Sequence, residues 1–254
     1  MLNKESAMRL IGHRGARSEA PENTLSGFRY LRALGVRAVE FDIHLSADGE
    51  LMVIHDAELS RTTSGHGLVR EHSAAELAAL DACHQPAHKG FAPWPKREGV
   101  PTLAQVLTEL YDFTHIELEL KVRHEDDEAA VVAALPAIWQ RFNLSGRARC
   151  TSFNPRLLHR LQQQAPELPR GFLVEDSFAG DIVQVAQALG YDAIGPHANL
   201  LTVELVTQAH AAGLWVSTWT VNDHQRALEL AAMGVDGLIT DTPTLAKSWL
   251  SWSA

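Results

Sequence analysis

Short apolar runs alternate with amphipathic segments along the whole chain, and that rhythm is the strongest constraint on its fold. The runs fall at residues 8–12, 38–43, 115–121, 147–153, 171–175, 193–196, 215–221 and 237–240. Each has strand length, and apolar residues at helical spacing occupy the stretches between them. The first helix is expected to open at Glu22-Asn23-Thr24-Leu25, to bury Phe28, Leu31 and Leu34, and to stop at Gly35. Residues 202–212 stop likewise at Gly213, and 223–233 at Gly234. Parallel neighbours need a crossover, usually helical, and an all-parallel sheet is covered on both faces. Eight such units are expected to close into a (β/α)8 TIM barrel, a single domain over residues 1–254.

One segment interrupts the rhythm. After the second strand, the Asp48-Gly49 turn leads into a strand-like stretch at 51–55. Residues 59–100 are then rich in Gly, His, Pro and Ala, with only a short helical patch at 74–80. An insertion beside the barrel mouth is expected, serving either as a substrate-binding lid or as a surface excursion.

Charge narrows the partners. A formal net charge of −9 with no basic stripe excludes a nucleic-acid surface, because neutralising a phosphate backbone takes concentrated Lys and Arg. The two cysteines, Cys83 and Cys150, form neither a disulfide framework nor a zinc motif, which fits a reducing compartment. Residues 1–9 hold no apolar stretch of signal-peptide length. Residues 205–222 carry no formal charge, but Gln208, His210 and Gly213 break them, so a helix followed by a strand is expected rather than a membrane span. The expectation is a cytoplasmic protein with no stable membrane association, acting on a small molecule; a homodimer is compatible with it.

In a parallel barrel the loops at the C-terminal ends of the strands meet at one mouth, so titratable residues at strand exits are site candidates. His13, Arg14 and Gly15 follow Leu10-Ile11, and His55-Asp56 follows Val53-Ile54. Glu40 and Asp42 share one strand face while Val39, Phe41 and Ile43 share the other, and Glu117, Glu119 and Lys121 repeat the pattern. Converging carboxylates repel unless a cation lies among them, and an all-oxygen set suits a hard ion such as Mg²⁺, Ca²⁺ or Mn²⁺. Neutralising Glu40, Asp42 or Glu119 is therefore expected to relieve repulsion in the metal-free protein, with a milder effect on activity at Glu117 if only Glu119 is a ligand. Acids on an edge strand would face solvent instead; two such strands flanked by strand-end histidines favour the site. His13 and His55 titrate near neutrality and suit a base and an acid, zinc ligation being disfavoured by the acidic surroundings. Asp56 is placed to influence His55, or faces away from it if the strand runs on through both. Arg14 offers a fork for a phosphate or, alternatively, a plain salt bridge. Among the thirteen histidines, His66, His72, His84, His88, His124, His159 and His224 are read as surface or loop residues.

These segments closely resemble the glycerophosphodiester phosphodiesterases. The resemblance rests on His13-Arg14-Gly15-Ala16, Pro21-Glu22-Asn23-Thr24, Glu40-Phe41-Asp42 with Asp48-Gly49, His55-Asp56 and Arg61-Thr62-Thr63. It continues in order through Pro101-Thr102-Leu103, Glu119-Leu120-Lys121, Ser152-Phe153, Trp219-Thr220-Val221-Asn222 and Gly234-Val235-Asp236-Gly237 to Thr240-Asp241 and Pro243. It implies a (β/α)8 barrel that hydrolyses glycerophosphodiesters to sn-glycerol 3-phosphate and an alcohol with one divalent cation. On that resemblance His13 and His55 would be the acid/base pair, and Glu40, Asp42 and Glu119 the metal ligands. Arg14 and Lys121 would contact the phosphate, and Trp219 would line the mouth or simply pack in the core. Glu117 departs from the family, which commonly has asparagine there; the extra charge would raise metal affinity, or point elsewhere if the strand is bulged.

Two other readings remain at this level. A lysophospholipase D-type enzyme would need an apolar surface, for which Phe91, Pro93 and Trp94 are the candidates, and a non-catalytic binding barrel would be expected had either histidine been lost. No Ser, Thr or Cys stands in an evident nucleophile motif, so a substrate hydroxyl next to the phosphate could be the attacking group.

Overall fold

The computed structural model describes residues 8–83, 94, 97–122 and 125–249. Eight parallel strands close into a barrel: β1 (Arg9–His13), β2 (Ala38–Leu45), β4 (His115–Leu120), β5 (Ala148–Ser152), β6 (Arg170–Val174), β7 (Ala193–Pro196), β8 (Trp215–Thr218) and β9 (Gly237–Thr240). Closure is made by β1, which pairs with β9 along its length and with β2 through Gly12 opposite Val39 and His13 opposite Glu40. The remaining strand, β3 (Leu51–Val53), is antiparallel and pairs with the end of β2 beyond the barrel wall, Ile43 opposite Val53.

Helices α1 (Leu25–Ala33), α3 (Leu103–Glu109), α4 (Glu125–Arg141), α5 (Pro155–Gln164), α6 (Ile182–Ala188), α7 (Val203–Ala211) and α8 (His224–Met233) cross between barrel strands. A short α2 (Ala74–Ala79) belongs to the insertion, and α9 (Pro243–Ala246) follows the last strand. Their ends follow local chemistry. The Thr24 hydroxyl accepts from the Gly27 amide at 3.0 Å, Asn154 caps α5 ahead of Pro155, and Gly234 ends α8 at φ 84°. The strand faces divide as their alternation requires: Val39, Phe41 and Ile43 join the outer core, where Phe28 of α1 meets Phe41 edge to face at 5.6 Å. Glu40 and Asp42 are thereby turned into the barrel.

The lower barrel interior is unusual in being polar. Trp215 stacks on His115 at 5.1 Å and lies under the guanidinium groups of Arg149 and Arg9, at 4.9 and 5.6 Å. Among the described residues of the insertion, Leu59, Val69, Leu77, Ala82 and Val100 close on Met52 and Ile54 as a second small core. The described part of the insertion, expected as a lid or a surface excursion, is thus packed and anchored on β3. Phe91 and Pro93 lie outside the described residues; Trp94 packs edge-on against Tyr30 of α1 at 6.2 Å.

Candidate active site at the barrel mouth

The chain leaves β1 through a turn that depends on Gly12 and Gly15. A Cβ on Gly12 would lie 2.1 Å from the Gly15 carbonyl oxygen, and Arg14 and Gly15 sit at φ 50° and 90°. The turn points His13 and Arg14 inward. His13 Nδ1 lies 2.6 Å from Asp241 Oδ1, which assigns that nitrogen as the donor and leaves Nε2 3.8 Å from Glu40 Oε2. Asp241 also accepts from Asn222 Nδ2 at 2.8 Å.

Across the mouth His55 has the same arrangement, its Nδ1 2.6 Å from Asp56 Oδ1. These neighbours do not diverge, because β3 ends at Val53 and strand alternation no longer governs them. Asp56 in turn accepts from Arg61. Burial lowers both imidazoles, His55 to about 4. Burial would raise Asp56, but hydrogen bonds from Arg61 and His55 hold it at about 2.

Between the histidines, Glu40, Asp42 and Glu119 are buried with ligand oxygens all within 4.8 Å of one another. Glu40 is raised well above its ordinary value by burial and by the charges of Asp42 and Glu119, and burial takes Glu119 to about 7. Asp42 behaves differently: burial would raise it, yet Arg14 and Lys121 hold it far below the carboxylate range, and Asn23 Nδ2 donates to it at 2.9 Å. Crowding thus weighs on Glu40 and Glu119, whereas the charge of Asp42 is offset by Arg14 and Lys121. Asp42 Oδ1 is buried and accepts no hydrogen bond, with Lys121 Nζ at 3.4 Å as an ion-pair neighbour. An all-carboxylate set with such an oxygen fits a hard divalent ion.

Arg14 and Lys121 both line the cleft. Arg14 Nη1 donates to Glu22 Oε1 at 3.0 Å, its backbone amide donates to Glu40 Oε2 at 3.2 Å, and Nε is 3.3 Å from Asp42 Oδ2. Lys121 Nζ lies 2.6 Å from Glu119 and 3.4 Å from Asp42. Trp219 donates from Nε1 to the Gly195 carbonyl at 2.8 Å and meets Phe153 edge-on at 5.3 Å. His13, Arg14, Glu40, His55, Glu119, Lys121 and Trp219 surround one cavity of about 200 Å³, with Asp42 beneath it. Lining the cavity does not exclude packing for Trp219; the ring does both.

Glu117 is not part of this group. The β2–β4 register runs unbroken, with Glu40 opposite Glu117 and Asp42 opposite Glu119, so no bulge turns it aside. It sits one layer lower, accepting from His115 Nε2 at 2.9 Å and Ser217 Oγ at 3.2 Å. Burial would raise it, but His115 and Arg149 keep it low. Residues without an assigned role in the sequence reading also surround the site: Glu22, Asn23, Arg61 and Asp241. Their signal was present in the motifs that contain them; what was missing was the partner, in Asp241's case 228 residues distant from His13.

The profile of the Glycerophosphoryl diester phosphodiesterase family matches residues 13–245. A glycerophosphodiester phosphodiesterase of Caldanaerobacter subterraneus is 32% identical over 240 residues, 92% of this chain and 94% of that protein. One from Bacillus altitudinis is 30% identical over 94% of this chain and 96% of its own. Among solved structures, an Oleispira antarctica phosphodiesterase in complex with the product sn-glycerol-3-phosphate superposes with a TM-score of 0.84 at 31% identity, covering 95% of this chain and 96% of that one.

Proposed function

The chain belongs to the glycerophosphoryl diester phosphodiesterase family, and from that premise we propose that it hydrolyses glycerophosphodiesters to sn-glycerol 3-phosphate and an alcohol, with His13 and His55 as the proton-transfer pair. The observation that carries this reading is the pairing of two histidines, each with a carboxylate on Nδ1, in one cleft with a buried acidic triad. Glu40, Asp42 and Glu119 would hold one divalent ion, Mg²⁺ or Ca²⁺ with Mn²⁺ as a substitute. Bound there, it would supply positive charge against the phosphate oxygens.

The chain's own groups do the rest. Arg14 and Lys121 offset the diester's negative charge, which otherwise repels a nucleophile. Asp241 and Asp56 fix the histidine tautomers, so that each ring presents Nε2 for proton transfer. One histidine removes the proton from the glycerol hydroxyl adjacent to the phosphate, and that oxygen attacks phosphorus. The other histidine donates a proton to the departing alcohol oxygen. Water then opens the cyclic phosphate with the two roles exchanged. The phosphate of sn-glycerol 3-phosphate and its free alcohol account for every atom of substrate and water.

A deoxy analogue lacking the adjacent hydroxyl tests this mechanism. It should be cleaved very slowly, while His13→Ala and His55→Ala each lose about 10²–10⁴ in rate on the parent substrate. Cleavage of the analogue at the parent rate would replace hydroxyl attack by direct attack of water. The absence of any basic stripe supports a small-molecule substrate, and the two free cysteines support a cytoplasmic setting. Among the described residues no helix is long and apolar enough to cross a membrane.

A further inference from the structure

One guanidinium joins the insertion to both halves of the site. Arg61 lies between the β3 exit and the second small core, and its Nη1 and Nη2 donate to Glu22 Oε2 and Oε1 at 3.1 and 2.7 Å. Its Nε donates to Asp56 Oδ2, whose companion oxygen holds His55 Nδ1 at 2.6 Å. Glu22 Oε1 also receives Arg14 Nη1 at 3.0 Å, and Arg14 Nε approaches Asp42 at 3.3 Å. A single path of polar contacts therefore runs from His55 through Asp56, Arg61, Glu22 and Arg14 to Asp42.

We infer that Arg61 is a positioning residue for the reaction, holding His55 and Arg14 in register through the two carboxylates it bridges. The inference rests on the reading of His55 and Arg14 given above. Asp56 needs such an anchor, since it lies in no strand and its side chain is 29% exposed. Glu22, at 3% exposure, is buried between guanidinium groups and cannot move to compensate. A planar fork can satisfy carboxylates arriving from two elements, whereas an ammonium serves as a single point charge. Loss of Arg61 need not unfold the protein. Its side chain is 41% exposed, and Glu22 would retain Arg14 at 3.0 Å and Arg17 at 3.7 Å.

Steady-state kinetics and thermal melting of the parent, Arg61→Ala, Arg61→Lys and His55→Ala on glycerophosphocholine decide the matter. Arg61→Ala should lose about 10²-fold in kcat, the scale of a displaced reacting group, with a larger effect on kcat than on KM and little change in Tm. Added guanidinium ion should restore part of that loss, whereas urea should not, and neither should help His55→Ala. Arg61→Lys should remain well below the parent, because it can hold only one carboxylate at a time; this variant decides the case if Arg61→Ala does not fold. Parental kcat in either Arg61 variant would overturn the inference, as would a folded Arg61→Ala that guanidinium leaves unchanged. An inactive parent, or a fully active His55→Ala, would instead remove the reading of the site, and this inference with it.

Discussion

Asp42 and Glu119 lie opposite one another in register and both meet Lys121, yet burial outweighs that cation at Glu119, whereas at Asp42 the nearby Arg14 and the Asn23 amide add to it and prevail. Asp42 faces Arg14 and Lys121 and stays ionised, while Glu119 is raised from 4.5 to about 7. A carboxyl with a raised folded-state value binds its proton more tightly when folded, so its contribution to stability is lost as pH rises from about 4.5 through about 7. The lowered His13 and His55 act in the opposite direction over much of that window, so the Glu119 contribution is read by difference: relative to the parent, metal-free Glu119→Gln should gain melting temperature between pH 5 and pH 8. Asp42→Asn should instead lower the melting temperature near neutral pH, since it removes the charge that Arg14 and Lys121 share and leaves them only Glu22 and Glu119. Melting curves in excess chelator check both; equal shifts in the two variants would contradict the difference in their surroundings. Both substitutions should abolish activity.

At the scale of elements, the insertion bears directly on the segment that carries His55. Leu59 N donates to the Gly67 carbonyl at 3.0 Å and Val69 N to the Ala57 carbonyl at 2.8 Å, so residues 57–69 brace the loop from behind. Val69, Leu77 and Ala82 cover Met52 and Ile54. Replacing residues 64–95 by a short linker should leave the barrel's circular dichroism intact, because none of the eight parallel strands is touched. It should lower kcat as well as raise KM, and it should reduce solubility by uncovering that apolar surface. An unchanged kcat would show that His55 needs no support from the insertion. A decorative excursion would have left both constants alone.

For the whole molecule, the acidic triad ties folding to the ion it would bind. A ligand that binds only the folded state adds RT ln(1 + [L]/Kd), about 2.7 kcal/mol at a hundred times Kd. Mg²⁺ or Ca²⁺ added to chelated protein should raise the melting temperature in a concentration-dependent way, and activity should return in parallel. Glu40→Gln should weaken both responses together. Absence of any shift at millimolar ion with activity intact would argue against a resident divalent cation.

Much of the fold was legible because it depends on neighbours in sequence. The two-residue period of β2 turned Glu40 and Asp42 one way and Phe41 the other, and the helix ends at Thr24, Asp223 and Gly234 follow from side chains within a few positions. The strand-exit histidines were visible for the same reason, since a parallel barrel sends every strand end to one mouth. Contacts between distant segments were not legible. Asp241 reaches His13 only when β9 closes against β1, and Arg61 reaches Glu22 only once the insertion folds back over α1's approach. Glu117 could not be separated from Glu119 by alternation, because residues two apart share a face but lie a layer apart in depth. Periodicity acts along the chain and sets which face a side chain takes; the partner it meets there, and hence its charge, is decided by barrel closure.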